Sequence, residues 1–147
     1  MPDAMVAAPK LDRETIAHQI TEAAFLVHSA IGPGLKKSVY EQCLEYELQT
    51  RGLALKTKVA VPVVYRNIPI DGGFEVDMVV EGAVAVEIRA IERIMPIDEV
   101  QLLTYLKFSG HGIGLLINFN VPLIKHGMRR LLRQAYYHPP LLIGAAN

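Results

Sequence analysis

Hydrophobic positions along the chain follow two rhythms, and the switches between them mark out its elements. Over residues 11 to about 31, Ile16, Ile20, Ala23/Ala24 and Val27 recur every three or four positions, which predicts an amphipathic helix. Asp12 is placed to cap it with Glu14 in the first turn, and Gly32-Pro33-Gly34 to end it. A second helix is predicted over 36–51, turning Val39/Tyr40, Cys43/Leu44 and Leu48 inward before Gly52. Extended segments follow. Residues 58–65 are rich in β-branched side chains, and Pro62 marks that strand as an edge or a bulge. Residues 70–80 and 83–90 are joined at Glu81-Gly82, which reads as a hairpin turn. Helical spacing returns over 97–109, with Asp98 and Glu99 near the positive end of that helix. Residues 111–118 hold Ile-Gly-Leu-Leu-Ile, a short buried strand, and 122 to about 136 read as a last helix.

This order, α-α-β-β-β-α-β-α, predicts a single α/β domain over 11–137 in which helices flank a mixed β-sheet. Residues 1–10 read as a loose arm and 138–147 as a tail.

The hairpin is where chemistry enters. Ala85, Glu87 and Arg89 alternate with Val84, Val86 and Ile88, so the polar residues share a face. On the preceding strand Glu75 and Asp77 oppose Val76, Met78 and Val80. A two-residue turn at Glu81-Gly82 would put Asp77 and Glu87 on opposite faces. A three-residue loop, Val80-Glu81-Gly82 with Gly82 left-handed, gathers Glu75, Asp77, Glu87 and Arg89 on one face and the valines on the other. The odd-length loop is expected, because the alternative mixes charge into both faces. Carboxylates on adjacent strands are what a hard divalent cation such as Mg²⁺ needs, and a cation two residues beyond Glu87 could balance phosphorane charge. The simpler reading of the same residues is a solvated face with an Arg89–Glu75 or Arg89–Asp77 ion pair.

Composition narrows the setting. Half of the 147 residues are apolar (51%), so a packed domain is expected rather than a disordered chain. Fifteen basic and fifteen acidic residues cancel, so nucleic-acid binding through bulk charge is excluded and would need a local patch. Arg129, Arg130 and Arg133, with Tyr136 and Tyr137, are the one basic-aromatic cluster; they could touch a phosphate backbone or simply complement a helix C-terminus. The single Cys43 excludes an internal disulfide and a cysteine-rich zinc site, and suits a reducing cytoplasm as a structural residue. No apolar run is long enough to span a membrane, and the first ten residues lack the pattern of a secretory signal, so a cytoplasmic location is expected. His28, His111 and His126 have no ligand spacing. Gly32-Pro33-Gly34 lacks the Lys-Ser/Thr ending of a Walker loop and reads as a turn. An exposed sheet edge at the first strand could support a homodimer.

Five ordered segments carry a resemblance. They are Ile-Gly-Pro-Gly-Leu-Lys-Lys-Ser-Val-Tyr-Glu (31–41), Ile-Asp-Gly-Gly-Phe-Glu-Val-Asp-Met-Val-Val-Glu-Gly (70–82), Val-Glu-Ile-Arg-Ala-Ile (86–91), Gln-Leu-Leu-Thr-Tyr-Leu (101–106) and Gly-Leu-Leu-Ile-Asn-Phe-Asn-Val-Pro (114–122). Over about residues 12–133 the chain resembles the GxxExxY protein family, a bacterial and archaeal group within the PD-(D/E)XK nuclease-like superfamily. The resemblance implies a restriction-endonuclease-like core and phosphodiester hydrolysis of DNA or RNA assisted by Mg²⁺ or Mn²⁺. By position it makes Asp77 and Glu87 metal ligands, adds the Ile88 carbonyl, and puts Gln101 and Tyr105 one turn apart on a helix. There they could face the same cleft, with Gln101 orienting substrate or water, or could only brace that helix against the sheet. Two departures stand out. Lys37 occupies the position of the family's naming glutamate, with Glu41 one turn on as a partial substitute or as a surface partner of Lys37. Arg89 replaces a lysine; it can stabilise charge but stays protonated and cannot act as a base. Both departures point to attenuated hydrolysis, or to a catalytically inactive nuclease fold used as a binding or scaffold module.

Overall fold

The computed structural model describes residues 11–133; the arm at 1–10, the tail at 138–147, and Tyr136 and Tyr137 lie outside them. Helix α1 (Arg13–Ile31) begins as expected, with the Thr15 amide donating to Asp12 Oδ1 at 2.8 Å. Helix α2 (Lys37–Thr50) follows after a short turn. The Tyr40 hydroxyl holds that turn by donating to the Gly32 carbonyl at 2.6 Å and accepting from the Leu35 amide at 3.2 Å. Its ring stacks on Phe119, with centroids 4.7 Å apart. Tyr40 thus sets where α2 starts, and Lys37 is its first residue.

Strands β1 (Leu55–Tyr65), β2 (Ile68–Val80) and β3 (Val84–Arg89), helix α3 (Pro96–Ser109), and strands β4 (Ile113–Asn118) and β5 (Met128–Leu132) complete the described domain. The five strands lie in the order β1-β2-β3-β4-β5; β3 and β4 run parallel and the other neighbours antiparallel. α1 and α2 cover one face, packing on Met78, Val80, Val84, Val86, Ile88 and Leu115. α3 covers the other through Leu102, Tyr105 and Leu106, which meet Val79, Ala85 and Leu116. Gly114 permits this approach: a Cβ there would stand 2.9 Å from the Leu102 side chain.

β1 and β2 exceed their expected lengths and are joined by Arg66-Asn67, both left-handed (φ 50° and 66°), the conformation a tight hairpin turn requires. Pro62 sits at a register irregularity between Val61 and Val63, and β1 is an edge strand.

The β2–β3 loop has the expected odd length but lies one residue later. Val80 pairs with Val84, leaving Glu81-Gly82-Ala83 as the loop. Glu81 (φ 54°) and Gly82 (φ 61°) are both left-handed. Glu81 is held there by exchanging bonds with Ala54, whose carbonyl accepts from the Glu81 amide at 2.7 Å and whose amide donates to Glu81 Oε2 at 2.6 Å. The valines do not all share one face, since Val76 and Val79 join the α3 core.

The expected helix over 122–136 is not formed in its described part. A 3₁₀ turn (Ile124–Gly127) leads into β5, which pairs along β4 from Ile117↔Met128 to Ile113↔Leu132. Its Leu, Met and Arg residues suit a helix locally, but every residue of β4 is buried, and pairing with β5 removes what would otherwise be an open edge there. Gly127 passes so close to the Asn118 carbonyl that no Cβ fits.

Candidate functional site

Asp77 and Glu87 come together where the sheet's ladders lapse. Regular β2–β3 pairing ends at Met78↔Val86. One step further the side chains take over: the Asp77 amide donates to Glu87 Oε1 at 3.1 Å, and the Ile88 amide donates to Asp77 Oδ2 at 2.7 Å. On the other side of Asp77, Lys58 is left-handed (φ 52°), and the β1–β2 register passes from Thr57↔Met78 to Val59↔Val76 without pairing it. The strands therefore part around two carboxylates whose backbone donors remain satisfied.

Cations flank the pair. Lys37 Nζ, at the start of α2, lies 3.0 Å from Asp77 Oδ1. Arg89 NH1 lies 3.3 Å from Glu87 Oε2 and donates to the Ile88 carbonyl at 3.2 Å. The guanidinium also binds Asp98 Oδ1 through Nε at 3.3 Å and Gln101 Oε1 through NH2 at 3.2 Å. Arg89 thus pairs with Glu87 and Asp98 rather than with Glu75 or Asp77, and Lys37 pairs with Asp77 rather than with Glu41. Glu87 Oε1, Asp77 Oδ2 and the Ile88 carbonyl accept hydrogen bonds from protein donors, and Asp77 Oδ1 and Glu87 Oε2 face the Lys37 and Arg89 cations at ion-pair distance.

Charge is distributed unequally across this pair. Burial pushes Glu87 upward, the adjacent Asp77 carboxylate pushes it further, and its pKa rises to about 8 despite the pull of Arg89. Burial acts on Asp77 too, but its bonds with Glu87, the Ile88 amide and Lys37 outweigh it and hold Asp77 below the usual carboxylate value. Glu41 stands close enough to Asp77 to be pushed upward, by burial first and then by the Asp77 charge, against the pull of Lys37 and Lys58.

α3 supplies the opposite wall. Asp98, Gln101 and Tyr105 are three and four residues apart, one stripe of the helix. Asp98 is buried, and besides Arg89 it accepts from the Met95 amide at 2.7 Å, so it both caps α3 and anchors the guanidinium. Gln101 is exposed, whereas Tyr105 is fully buried between Phe74 and His111, and the Glu87 charge adds to burial in raising its hydroxyl. Asn118, in register with Arg89, ties down the following loop through both Ile91 backbone groups at 3.0 Å.

Arg129 and Arg130 lie on β5, not on a helix. Arg130 shares the α1 face with Leu115 and forms an ion pair with Glu14. Arg129 NH1 donates to the His126 and Met128 carbonyls at 3.2 and 2.9 Å. Both line an open cleft of about 460 Å³ with His18, Thr21 and Lys125.

Three contributors were not picked out as site residues from sequence. Asp98 was legible only as a helix-dipole partner, although its spacing to Gln101 and Tyr105 carried the signal. Lys58 and Asn118 had no local signal, because their roles arise from pairing between distant segments.

Two adjacent carboxylates and a carbonyl are hard oxygen donors that suit Mg²⁺ or Mn²⁺, which take one or two carboxylates together with waters and phosphate. Burial and the neighbouring Asp77, which together raise Glu87, make a further positive charge favourable there. Among the described residues no group of three or more His, Cys, Asp and Glu side chains is assembled to hold a metal, so Glu41 stands beside the pair rather than completing such a group.

No curated protein and no solved structure matches the chain significantly. The family model of the PD-(D/E)XK nuclease superfamily matches residues 14–131, from the first turn of α1 into β5, and the chain belongs to that superfamily.

Proposed function

We propose that this protein acts on nucleic acid by divalent-metal-assisted phosphodiester hydrolysis, attenuated by Lys37 and Arg89. The observation that carries the proposal is the Asp77–Glu87 pair at the parting of β2 and β3, each carboxylate bonded to the other's strand. Asp77, Glu87 and the Ile88 carbonyl would hold Mg²⁺ or Mn²⁺, with Glu41 entering from α2. Bound there, the ion would polarise the phosphate and acidify an attacking water. Arg89 neutralises charge on the phosphate but takes no proton. Gln101 orients Arg89 and reaches the solvent side, where substrate or water arrives. Tyr105, being buried, supports the Glu87 side of the wall. Arg129 and Arg130 are the outer contacts to the nucleic-acid backbone, Arg130 exchanging Glu14 for phosphate.

Cleavage assays on single- and double-stranded DNA and RNA, with Mg²⁺ or Mn²⁺, test this reading. The expected result is slow, metal-dependent cleavage that Asp77→Ala abolishes. The absence both of cleavage and of metal binding that depends on Asp77 and Glu87 would sink it. A second reading, a catalytically silent binding or scaffold module, is favoured by the protein hydrogen bonds and cations that already occupy all five oxygens. It predicts nucleic-acid or protein binding that metal leaves unchanged.

A further inference from the structure

We infer that Lys37 is a resident competitor for the metal position, a tethered cation that must leave Asp77 before a divalent ion can bind. The inference rests on the metal reading proposed above and adds what controls occupancy. Lys37 Nζ lies 3.0 Å from Asp77 Oδ1, the one oxygen of that carboxylate not engaged by the backbone of β3. A divalent ion on Asp77 would meet the ammonium at close range, and like charges at such separation repel strongly where water is partly excluded. Lys37 is also able to leave. Its side chain is 41% exposed while that of Asp77 is 12% exposed, so the ammonium can swing to solvent and the carboxylate cannot follow. The backbone at Lys37 cannot drift away with it, because Tyr40 pins the turn that starts α2. Arg89 does not share this role: Asp98 and Gln101 hold it from the α3 side.

Titration calorimetry with Mn²⁺ alone, and separately with Mg²⁺ alone, on wild type, Lys37→Gln, Lys37→Arg and Asp77→Asn tests the assignment without requiring cleavage. Thermal melting checks that each variant folds. Lys37→Gln is expected to bind Mn²⁺ at least tenfold more tightly than wild type, Lys37→Arg no more tightly, and Asp77→Asn not at all. Equal, measurable affinity of wild type and Lys37→Gln, lost in Asp77→Asn, overturns the competitor role and leaves the metal reading standing. Absence of binding in every folded variant overturns both.

Discussion

Asp77 and Glu87 complete each other's strands: Glu87 Oε1 accepts the Asp77 amide at 3.1 Å, and Asp77 Oδ2 accepts the Ile88 amide at 2.7 Å. Side chains here do what backbone carbonyls do elsewhere in the sheet, so the acidic pair belongs to the architecture as well as to the chemistry.

Asp77→Ala should therefore cost stability apart from any effect on activity. It leaves the Ile88 amide without its acceptor and Lys37 without its partner. A loss of about 1–3 kcal/mol is expected for a buried donor so orphaned. Asp77→Asn, which keeps an acceptor oxygen, should lose less. Urea unfolding of both variants measures the difference.

The raised Glu87 carboxyl makes metal-free stability depend on pH. In the unfolded chain Glu87 ionises near 4.5, and in the folded chain near 8. Between those values the folded state binds the extra proton, so this group's contribution to stability falls as pH rises through that window and levels off above it. Glu87→Gln should remove this component of the slope, read as unfolding free energies at pH 5 and pH 8 in the presence of a chelator. Metal binding by the wild type should release a proton over the same range and tighten with pH.

Arg89 is held by Glu87, Asp98, Gln101 and the Ile88 carbonyl. Arg89→Ala leaves the buried Asp98 carboxylate without its counter-charge, for an expected loss of about 3 kcal/mol. Arg89→Lys keeps the charge but cannot span Asp98 and Gln101 together, so a loss of about 1–2 kcal/mol is expected. The same variant should raise cleavage if arginine attenuates the reaction. Chemical denaturation and a cleavage assay on the same preparations separate the two effects.

Lys58 adopts φ 52° across from Asp77, a left-handed conformation that costs a residue with a Cβ about 1–2 kcal/mol. Lys58→Gly should consequently be more stable than Lys58→Ala by about 1 kcal/mol, the reverse of the usual order within a strand. Equal melting of the two variants would show that the left-handed turn is not maintained in solution.

Much of this molecule was legible locally. The Asp12 cap, the stop at Gly32, the buried run at 113–117 and the bulge near Pro62 each follow from a few neighbouring residues whose conformational preferences agree with the fold. Hairpin parity was also accessible, because a period of two leaves only two ways to assign faces, although the loop lay one residue later than expected. The segment after Pro122 was not legible. Its local preferences suit a helix, and only β4, which precedes it in the chain and needs a partner on that side, makes it a strand.

The candidate site divides in the same way. By itself the sequence determined which acids could meet: strand alternation and an odd loop put Asp77 and Glu87 on one face. Tertiary structure alone decided what surrounds them. Lys37 reaches Asp77 because Tyr40 fixes the start of α2 beside the parted strands. Arg89 turns toward Asp98 because the Met95 amide holds that carboxylate at the start of α3, within ion-pair distance of the end of β3. Alternation along a strand is a property of one segment's backbone, whereas the partner of a charge depends on which distant segment packing brings within a few ångströms.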